Sequence, residues 1–212
     1  MPRKPSPSAP VSAPPPDPAL VARIVAAARK HFFAHGVRGV TMDQLARDLG
    51  MSKKTLYACF PSKPQLLDAV LLDKFQGMRA ELDQITSRPG GKFQDELRQL
   101  LACLQRQTAE IQPPLVRDLR LLSPDVFARI ETHRRAMIQT YFGQLFARGQ
   151  RAGAIRSDIS TQWMIDILLA AVQVIANPAT ITALDVSPQT AMNTIISVVL
   201  EGVMTRKPRA KK

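Results

Sequence analysis

Four side chains that can donate hydrogen bonds lie within five consecutive residues near the front of the chain. The segment KKTLY carries two ammonium groups at Lys53 and Lys54, a hydroxyl at Thr55 and a phenol at Tyr57. Such groups donate hydrogen bonds to phosphate oxygens and to the edges of bases. A polar face that meets only solvent is the simpler interpretation of an isolated KKT triplet. The flanking residues therefore decide between the two.

The residues before this segment predict a short helix and a tight turn. Thr41 and Gln44 have the spacing of a capping box, so a helix begins at this point. Leu45 and Ala46 lie on its buried side, and Gly50 ends it because a left-handed backbone costs glycine least. The small Ala46 side chain lets a second helix cross closely, as a helix-turn-helix requires.

A second and a third helix follow the turn. Ser52 has the position of an N-cap, and the spacing of Leu56 and Phe60 turns both side chains inward, which leaves the lysines facing out. Ser62 then caps a third helix, with Gln65 completing another capping box. The lysine-bearing segment is therefore predicted to be the second helix of a helix-turn-helix, and the bracketing caps favour a DNA-binding role over a solvated face.

The pattern resembles the DNA-binding domain of the tetracycline repressor (TetR) family of bacterial regulators. Members of that family have a threonine-capped helix, a Gly-hydrophobic-Ser turn, a basic Thr-Leu-Tyr recognition helix, an aromatic residue and a Ser-Lys pair. The matching segments here are Thr41, Gly50-Met51-Ser52, the KKTLY segment, Phe60 and Ser62-Lys63. The resemblance implies an all-α fold, with an N-terminal three-helix helix-turn-helix domain followed by a larger helical ligand-binding and dimerisation domain.

The resemblance also implies roles for individual residues. Three of them would hold phosphates, namely Thr41, Tyr57 and Lys63, the last aided by the N-terminus of its helix. Four would approach base edges or adjacent phosphates, namely Ser52, Lys53, Lys54 and Thr55. In the family these DNA-binding domains work as a dimer on double-stranded DNA, so we expect a homodimer on a near-palindromic operator.

Two positions depart from the family pattern. Many relatives have a small residue, often glycine, where Lys54 stands, so a long cation replaces a close approach of the backbone. Many also have a histidine where this chain has Cys59, which removes a possible phosphate donor. We expect Cys59 to be a small packing residue and not a redox switch.

The net charge of +12 is concentrated at the two ends of the chain. Residues 1–75 contain 11 Lys or Arg against 5 Asp or Glu, and residues 206–212 contain 5 against none. Residues 76–205 contain 13 against 12 and are nearly neutral. This distribution predicts a polyanionic partner for the N-terminal part, and it disfavours a general attraction to membrane surfaces.

Composition divides the chain into four parts. Residues 1–16 are rich in proline and serine and are predicted to be a disordered leader. Residues 17–63 are the predicted DNA-binding domain, and residues 64–205 the predicted ligand-binding and dimerisation domain. Residues 206–212 form a basic tail. The basic residues of the leader could reach a DNA groove or only meet solvent, and the tail could attract DNA or only add solubility.

The second domain is predicted to be helical throughout. Its last two helices begin after Ser160 and Ser187 and are apolar on more than one face. Such helices need a partner surface, and in the family they pair with their copies as a four-helix dimer interface. The uncharged segment 167–184 is interrupted by Asn177-Pro178, so we interpret it as a buried helix and a loop rather than a membrane span.

The near-neutral second domain suits a cavity for an apolar or amphipathic small molecule. His133 and Trp163 are the candidate ligand-binding residues, although each could be an ordinary surface or core residue. We expect a repressor that such an effector releases from DNA. The alternative is a ligand-independent DNA-binding dimer that a protein partner or its own abundance controls.

Enzymatic activity is not expected. The chain has no glycine-rich phosphate loop, no HExxH or CxxC motif, and no triad or carboxylate pair distinguishable from chance. We therefore expect no cofactor and no metal site. Cys59 and Cys103 fit a reduced cytoplasm better than a disulfide framework, so a cytoplasmic location is expected.

Overall fold

A computed structural model of the chain describes residues 16–87, 92–175 and 183–204. Within these ranges there is no β-strand, and the one β-type contact is an isolated antiparallel bridge between Ile155 and Met204. The regular elements are α1 (Pro18–His35), α2 (Met42–Asp48), α3 (Lys53–Cys59), α4 (Lys63–Thr86), α5 (Phe93–Ala109), α6 (Pro113–Leu122), α7 (Pro124–Arg151), α8 (Thr161–Ile175) and α9 (Pro188–Val203). The predicted all-α fold is confirmed.

Most helices begin at the residues that the sequence predicts. A side-chain oxygen accepts a backbone N–H hydrogen bond of the first turn at Asp17, Thr41, Ser52, Ser62, Ser160 and Ser187. Helices α5, α6 and α7 begin without a side-chain cap hydrogen bond. Helix α6 begins at Pro113, since proline is well tolerated in the first turn.

The N-terminal helices surround the first of two hydrophobic cores. Phe32 of α1, Leu45 of α2, Leu56 of α3 and Leu66 of α4 are all fully buried in it. Leu115 of α6 is buried in the same core. We call α1–α3 with the first two turns of α4 the head. The head core thus includes residues on both sides of the boundary predicted after residue 63.

The second core lies among the remaining helices, which we call the body. Leu82 of α4, Leu100 of α5, Phe142 of α7 and Met164 of α8 are buried there. Helix α8 packs on both α7 and α9. Because α4 runs without a break from the head core into the body core, it joins the two mechanically.

Several predicted features lie outside the described residues. These are most of the leader (residues 1–15), the basic tail, and the Asn177-Pro178 interruption. Across the described ranges, no helix is long and apolar enough to cross a membrane.

Candidate nucleic-acid interface

Helices α2 and α3 form the helix-turn-helix that the sequence predicts. The chain reverses at Gly50, whose φ of +64° lies in the left-handed region that glycine adopts without strain. Beyond the turn, the Met51 N–H donates to the Ala46 carbonyl at 2.9 Å. Ala46 and Leu56 are buried in the head core, so the two helices are held on the side that faces α1. The opposite side of α3 faces outward.

The outward side of α3 carries the predicted polar groups. Lys53 and Lys54 are exposed, and Tyr57 is 45% exposed. Ser52 and Thr55 are used within the helix: the Ser52 hydroxyl accepts from the Thr55 N–H at 3.1 Å, and the two hydroxyls are 2.8 Å apart. The lysines and the phenol are therefore the groups that reach furthest from the helix.

The two lysines differ in their surroundings. Lys53 forms an ion pair with Asp43 of α2, and both side chains remain largely exposed at 64% and 49%. Lys54 makes no ion pair or hydrogen bond with any residue that the structure describes. The sequence interpretation missed Asp43. The signal available was an acidic residue in the first turn of α2, close enough across the turn to meet the start of α3.

Lys63 contacts the loop between α1 and α2. Its Nζ donates to the carbonyls of Val37 at 2.9 Å and Val40 at 3.0 Å. Val40 precedes Thr41, so Lys63 lies beside the cap of α2. Thr41 is exposed, and its Oγ1 accepts from the Gln44 N–H at 3.1 Å. An ammonium has three protons, so the two carbonyls leave one of them for a further acceptor.

The remaining cysteine and histidines of the head occupy ordinary positions. Cys59 is half-buried and packs against the head core. His31 and His35 lie with ring centroids 6.2 Å apart, and His31 Nε2 is 3.2 Å from a carboxylate oxygen of Asp48. No group of three or more metal-binding side chains occurs within the described ranges.

A narrow apolar cleft opens between α4, α5 and α7 in the body. Its lining is Met78, Leu82, Leu104, Arg134, Met137, Ile138, Tyr141 and Phe142. Neither candidate ligand residue lines it. His133 is exposed and stacks on Phe75 with centroids 5.1 Å apart, whereas Trp163 is 67% exposed on α8. The sequence offered no signal for which residues line the cleft, because they come from three helices far apart in the chain.

The polar groups around the cleft are paired. The Tyr141 hydroxyl donates to the Asp83 carboxylate at 2.5 Å. Burial of the phenol, together with this carboxylate, raises the pKa of Tyr141 to about 12. Arg134 binds both carboxylate oxygens of Glu131 on its own helix. The cleft therefore offers apolar surface, with its charged neighbours already satisfied.

The head matches a family of known proteins. Residues 24–70 match the family model described as bacterial regulatory proteins of the tetR family. The matched range begins within α1 and ends within α4, so it covers the whole helix-turn-helix. No curated protein matches the chain.

Solved structures resemble the chain over most of its length. A transcriptional regulator from Cytophaga hutchinsonii is 18% identical, with a TM-score of 0.68, and the match covers 88% of this chain and 100% of that one. A TetR-family regulator from Agrobacterium tumefaciens is 16% identical, with a TM-score of 0.66 and coverages of 88% and 98%. A ketosteroid transcriptional regulator of Mycobacterium tuberculosis is 16% identical, with a TM-score of 0.55 and coverages of 90% and 97%. The family match thus identifies residues 24–70 as a tetR-family regulatory domain, and the solved structures show that the chain as a whole shares the helical fold of such regulators.

Proposed function

We propose that the protein is a dimeric repressor that binds a near-palindromic operator through α3 of each protomer and is released by a small apolar effector. The observation that carries the DNA-binding part is the two-sided character of α3. Leu56 anchors one side in the head core, while Lys53, Lys54 and Tyr57 extend from the other. Such a helix can enter a major groove without disturbing its own packing.

Each candidate DNA-contacting group has a role in this proposal. We call the outward side of α3, with the first turn of α2 beside it, the reading side. Lys54, which is unpaired among the described residues, would donate to a guanine edge or a phosphate. Tyr57 would donate its hydroxyl to a phosphate, as Thr41 would at the cap of α2. Lys63 would use its remaining proton on a phosphate while holding the loop that precedes Thr41. Ser52, which caps α3, and Thr55, whose N–H donates to it, would approach the duplex as the start of that helix does.

The body supports the proposed dimer. Trp163, Ile167 and Val174 follow one side of α8 and are each more than half exposed, and Val198 of α9 is similarly exposed. These apolar side chains on two mutually packed helices would be covered by the same helices of a second protomer. Two heads joined in this way would meet successive major grooves about 34–36 Å apart.

The cleft between α4, α5 and α7 supports the proposed effector. As it stands the cleft has room for little more than a water molecule, but its lining is apolar, and unbranched Met78 and Met137 can rearrange to admit a hydrophobic molecule. Helix α4 lines the cleft and also enters the head core. A change in the position of α4 would therefore displace α3 through that core. An effector would weaken DNA binding by favouring a different separation of the heads.

Direct contacts between head and body would transmit that change. The buried Asp118 of α6 accepts from the Arg38 N–H at 2.8 Å, and the Gln112 N–H donates to the Phe33 carbonyl at 3.0 Å. The α6 end of the body is therefore attached to the end of α1. A shift of α6 relative to α4 would move the head as a unit.

Selection of bound sequences from random duplex DNA tests the DNA-binding part. We expect enrichment of inverted repeats whose half-site centres are about one helical turn apart. Recovery of DNA without any sequence preference at moderate salt would contradict the proposal.

Thermal unfolding in the presence of apolar compounds tests the effector part. A compound that raises the unfolding temperature should also lower the affinity for the selected operator. The Met137→Trp variant, which fills the cleft, should lose the thermal shift while still binding the operator. Stabilisation of both proteins alike would place the effector elsewhere.

A further inference from the structure

Among the described residues, one acidic side chain pairs with α3, and it has no role in a simple attraction between a basic helix and DNA. Three acids lie in residues 17–63: Asp17 caps α1, Asp48 pairs with His31, and Asp43 pairs with Lys53. The third places a carboxylate on the reading side, where it neutralises one of the two lysines. A phosphate backbone would repel this group, so its presence calls for an explanation beyond charge attraction.

The pair is not needed to hold α2 and α3 together. Leu45 and Leu56 are fully buried between these helices and α1, and the Met51 N–H already bonds the Ala46 carbonyl across the turn. Ion pairs as exposed as that of Asp43 contribute little to stability. The carboxylate can therefore be changed without unfolding the head.

The pair has the donor and acceptor pattern that matches one kind of base pair. In the major groove, guanine presents the acceptors O6 and N7, and its partner cytosine presents the N4 amino donor. A lysine ammonium donates to the guanine atoms, and an aspartate carboxylate accepts from the cytosine amino group. An adenine–thymine pair also offers a donor and an acceptor, but it lacks the two neighbouring acceptors that lysine prefers.

We propose that Asp43 is a specificity-determining residue, which holds Lys53 and reads a G·C base pair together with it. This inference rests on the proposed function, in particular on α3 entering a major groove. On duplexes without a G·C pair at that position, the carboxylate repels the backbone and withholds Lys53 from phosphates. Asp43 thereby lowers non-specific affinity and raises discrimination at one position of each half-site.

The test compares full-length wild-type protein with Asp43→Asn and with the control Asp68→Asn. Asp68 is an exposed aspartate on α4 that pairs with Arg129, so the control removes the same charge away from the reading side. Affinities are measured for the selected operator, for a scrambled duplex, and for operators in which each G·C pair is replaced by A·T. Each series is repeated at several salt concentrations.

We expect Asp43→Asn to bind the scrambled duplex about tenfold more tightly than wild type, with a salt slope steeper by about one counterion. Discrimination at one G·C position of each half-site should fall about tenfold, and the other positions should be unchanged. Asp43→Glu keeps the charge and should retain the low non-specific affinity. Circular dichroism melts should superimpose for all variants.

Equal behaviour of Asp43→Asn and Asp68→Asn would overturn the inference while leaving the proposed function intact. The same holds if Asp43→Asn lowers affinity for every duplex alike, because the pair would then be structural. Failure of the wild-type protein to prefer any sequence is a different result. It would remove the proposed function itself, and the inference with it.

Discussion

Helices α3 and α8 each bury one side and expose the other, but their exposed sides differ in chemistry. The exposed side of α3 carries Lys53 and Lys54, whereas that of α8 carries Trp163 and Ile167. Cations and hydroxyls suit a phosphate-bearing partner, and large apolar side chains suit a surface that excludes water. The contrast supports our proposal that α3 contacts nucleic acid and that α8 contacts a second protomer.

The two sides also depend on their supports differently. Helix α3 has seven residues and is too short to be stable alone, so its reading side exists only because Leu56 is held in the head core. Helix α8 has fifteen residues and packs on both α7 and α9. Damage beneath α3 should therefore weaken DNA binding through a loss of stability, while damage on the surface of α8 should separate protomers that remain folded.

The largest effect on operator affinity is expected from Ile167→Glu. Ile167 is 52% exposed in the protomer, so a carboxylate there leaves the body folded but is unfavourable in an apolar dimer interface. Loss of the second head removes the gain from joint binding, so affinity should fall about 100-fold or more. Light scattering should show a monomer.

Leu72→Glu is the matched control for Ile167→Glu. Leu72 is 58% exposed but lies on α4, so the variant should remain a dimer and bind the operator normally. If Ile167→Glu kept the wild-type mass, the apolar side of α8 would not be the interface.

Leu56→Ala should produce the next largest effect. The fully buried leucine leaves a cavity under α3, which should lower the free energy of unfolding by about 2–5 kcal/mol. Urea denaturation measures this loss, and operator binding should weaken with it. Leu121→Ala, at a leucine that is 74% exposed, should change stability by no more than about 0.5 kcal/mol. Equal losses in the two variants would contradict the packing described for α3.

Lys54→Ala should weaken operator binding by about 1–3 kcal/mol without altering stability, since this side chain is exposed and unpaired within the described ranges. If Lys54 holds a phosphate, the salt slope should fall by about one. If it reads a base, preference at one position should relax. Fluorescence anisotropy with labelled duplexes distinguishes these cases. Lys92→Ala, at the start of α5, removes the same charge outside the head and should bind as wild type; matching losses would argue against a specific contact.

The smallest effect is expected at the junction of head and body. Lys74 is buried, with its Nζ 3.1 Å from the Glu110 carboxylate and 5.6 Å from the Phe33 ring centroid. Arg29 also holds Glu110, at 2.6 Å, so Lys74→Met leaves no unpaired charge. Stability near neutral pH should be unchanged or higher by up to about 1 kcal/mol.

The pH dependence gives the sign of the Lys74 contribution. Burial lowers the pKa of Lys74 below 10.5, its value when exposed. Between the lowered pKa and 10.5, the unfolded chain binds more protons than the folded one. The free energy of unfolding of wild type should therefore rise relative to Lys74→Met as pH increases through this alkaline range. If denaturation experiments gave the same difference in the free energy of unfolding between the two proteins at every pH, Lys74 would not be desolvated.

The sequence predicted the head better than the body. Caps at Thr41, Ser52 and Ser62 and the turn at Gly50 are local signals that leave few alternative conformations, and each is confirmed. The polar side of α3 follows from helical periodicity once the helix is placed, although which groups contact DNA stays a prediction. Contacts across elements carried no such signal, as the ion pair between Asp43 and Lys53 shows.

The body illustrates what periodicity leaves undetermined. It places Trp163 on a helix, but not on the outer side of α8, because that depends on how α7 and α9 pack around it. Residues of three helices line the cleft, so no single stretch of sequence predicts it. The predicted boundary after residue 63 likewise overlooks α6, whose Leu115 is buried in the head core.

The spacing between half-sites tests most directly whether two α3 helices enter one duplex together. Five base pairs inserted between the half-sites of the selected operator rotate one of them by about half a turn relative to the other. We expect affinity to fall to that of a single half-site, a loss of about 100-fold or more. Affinity that is unchanged by the insertion would contradict a rigid pair of heads reading both half-sites.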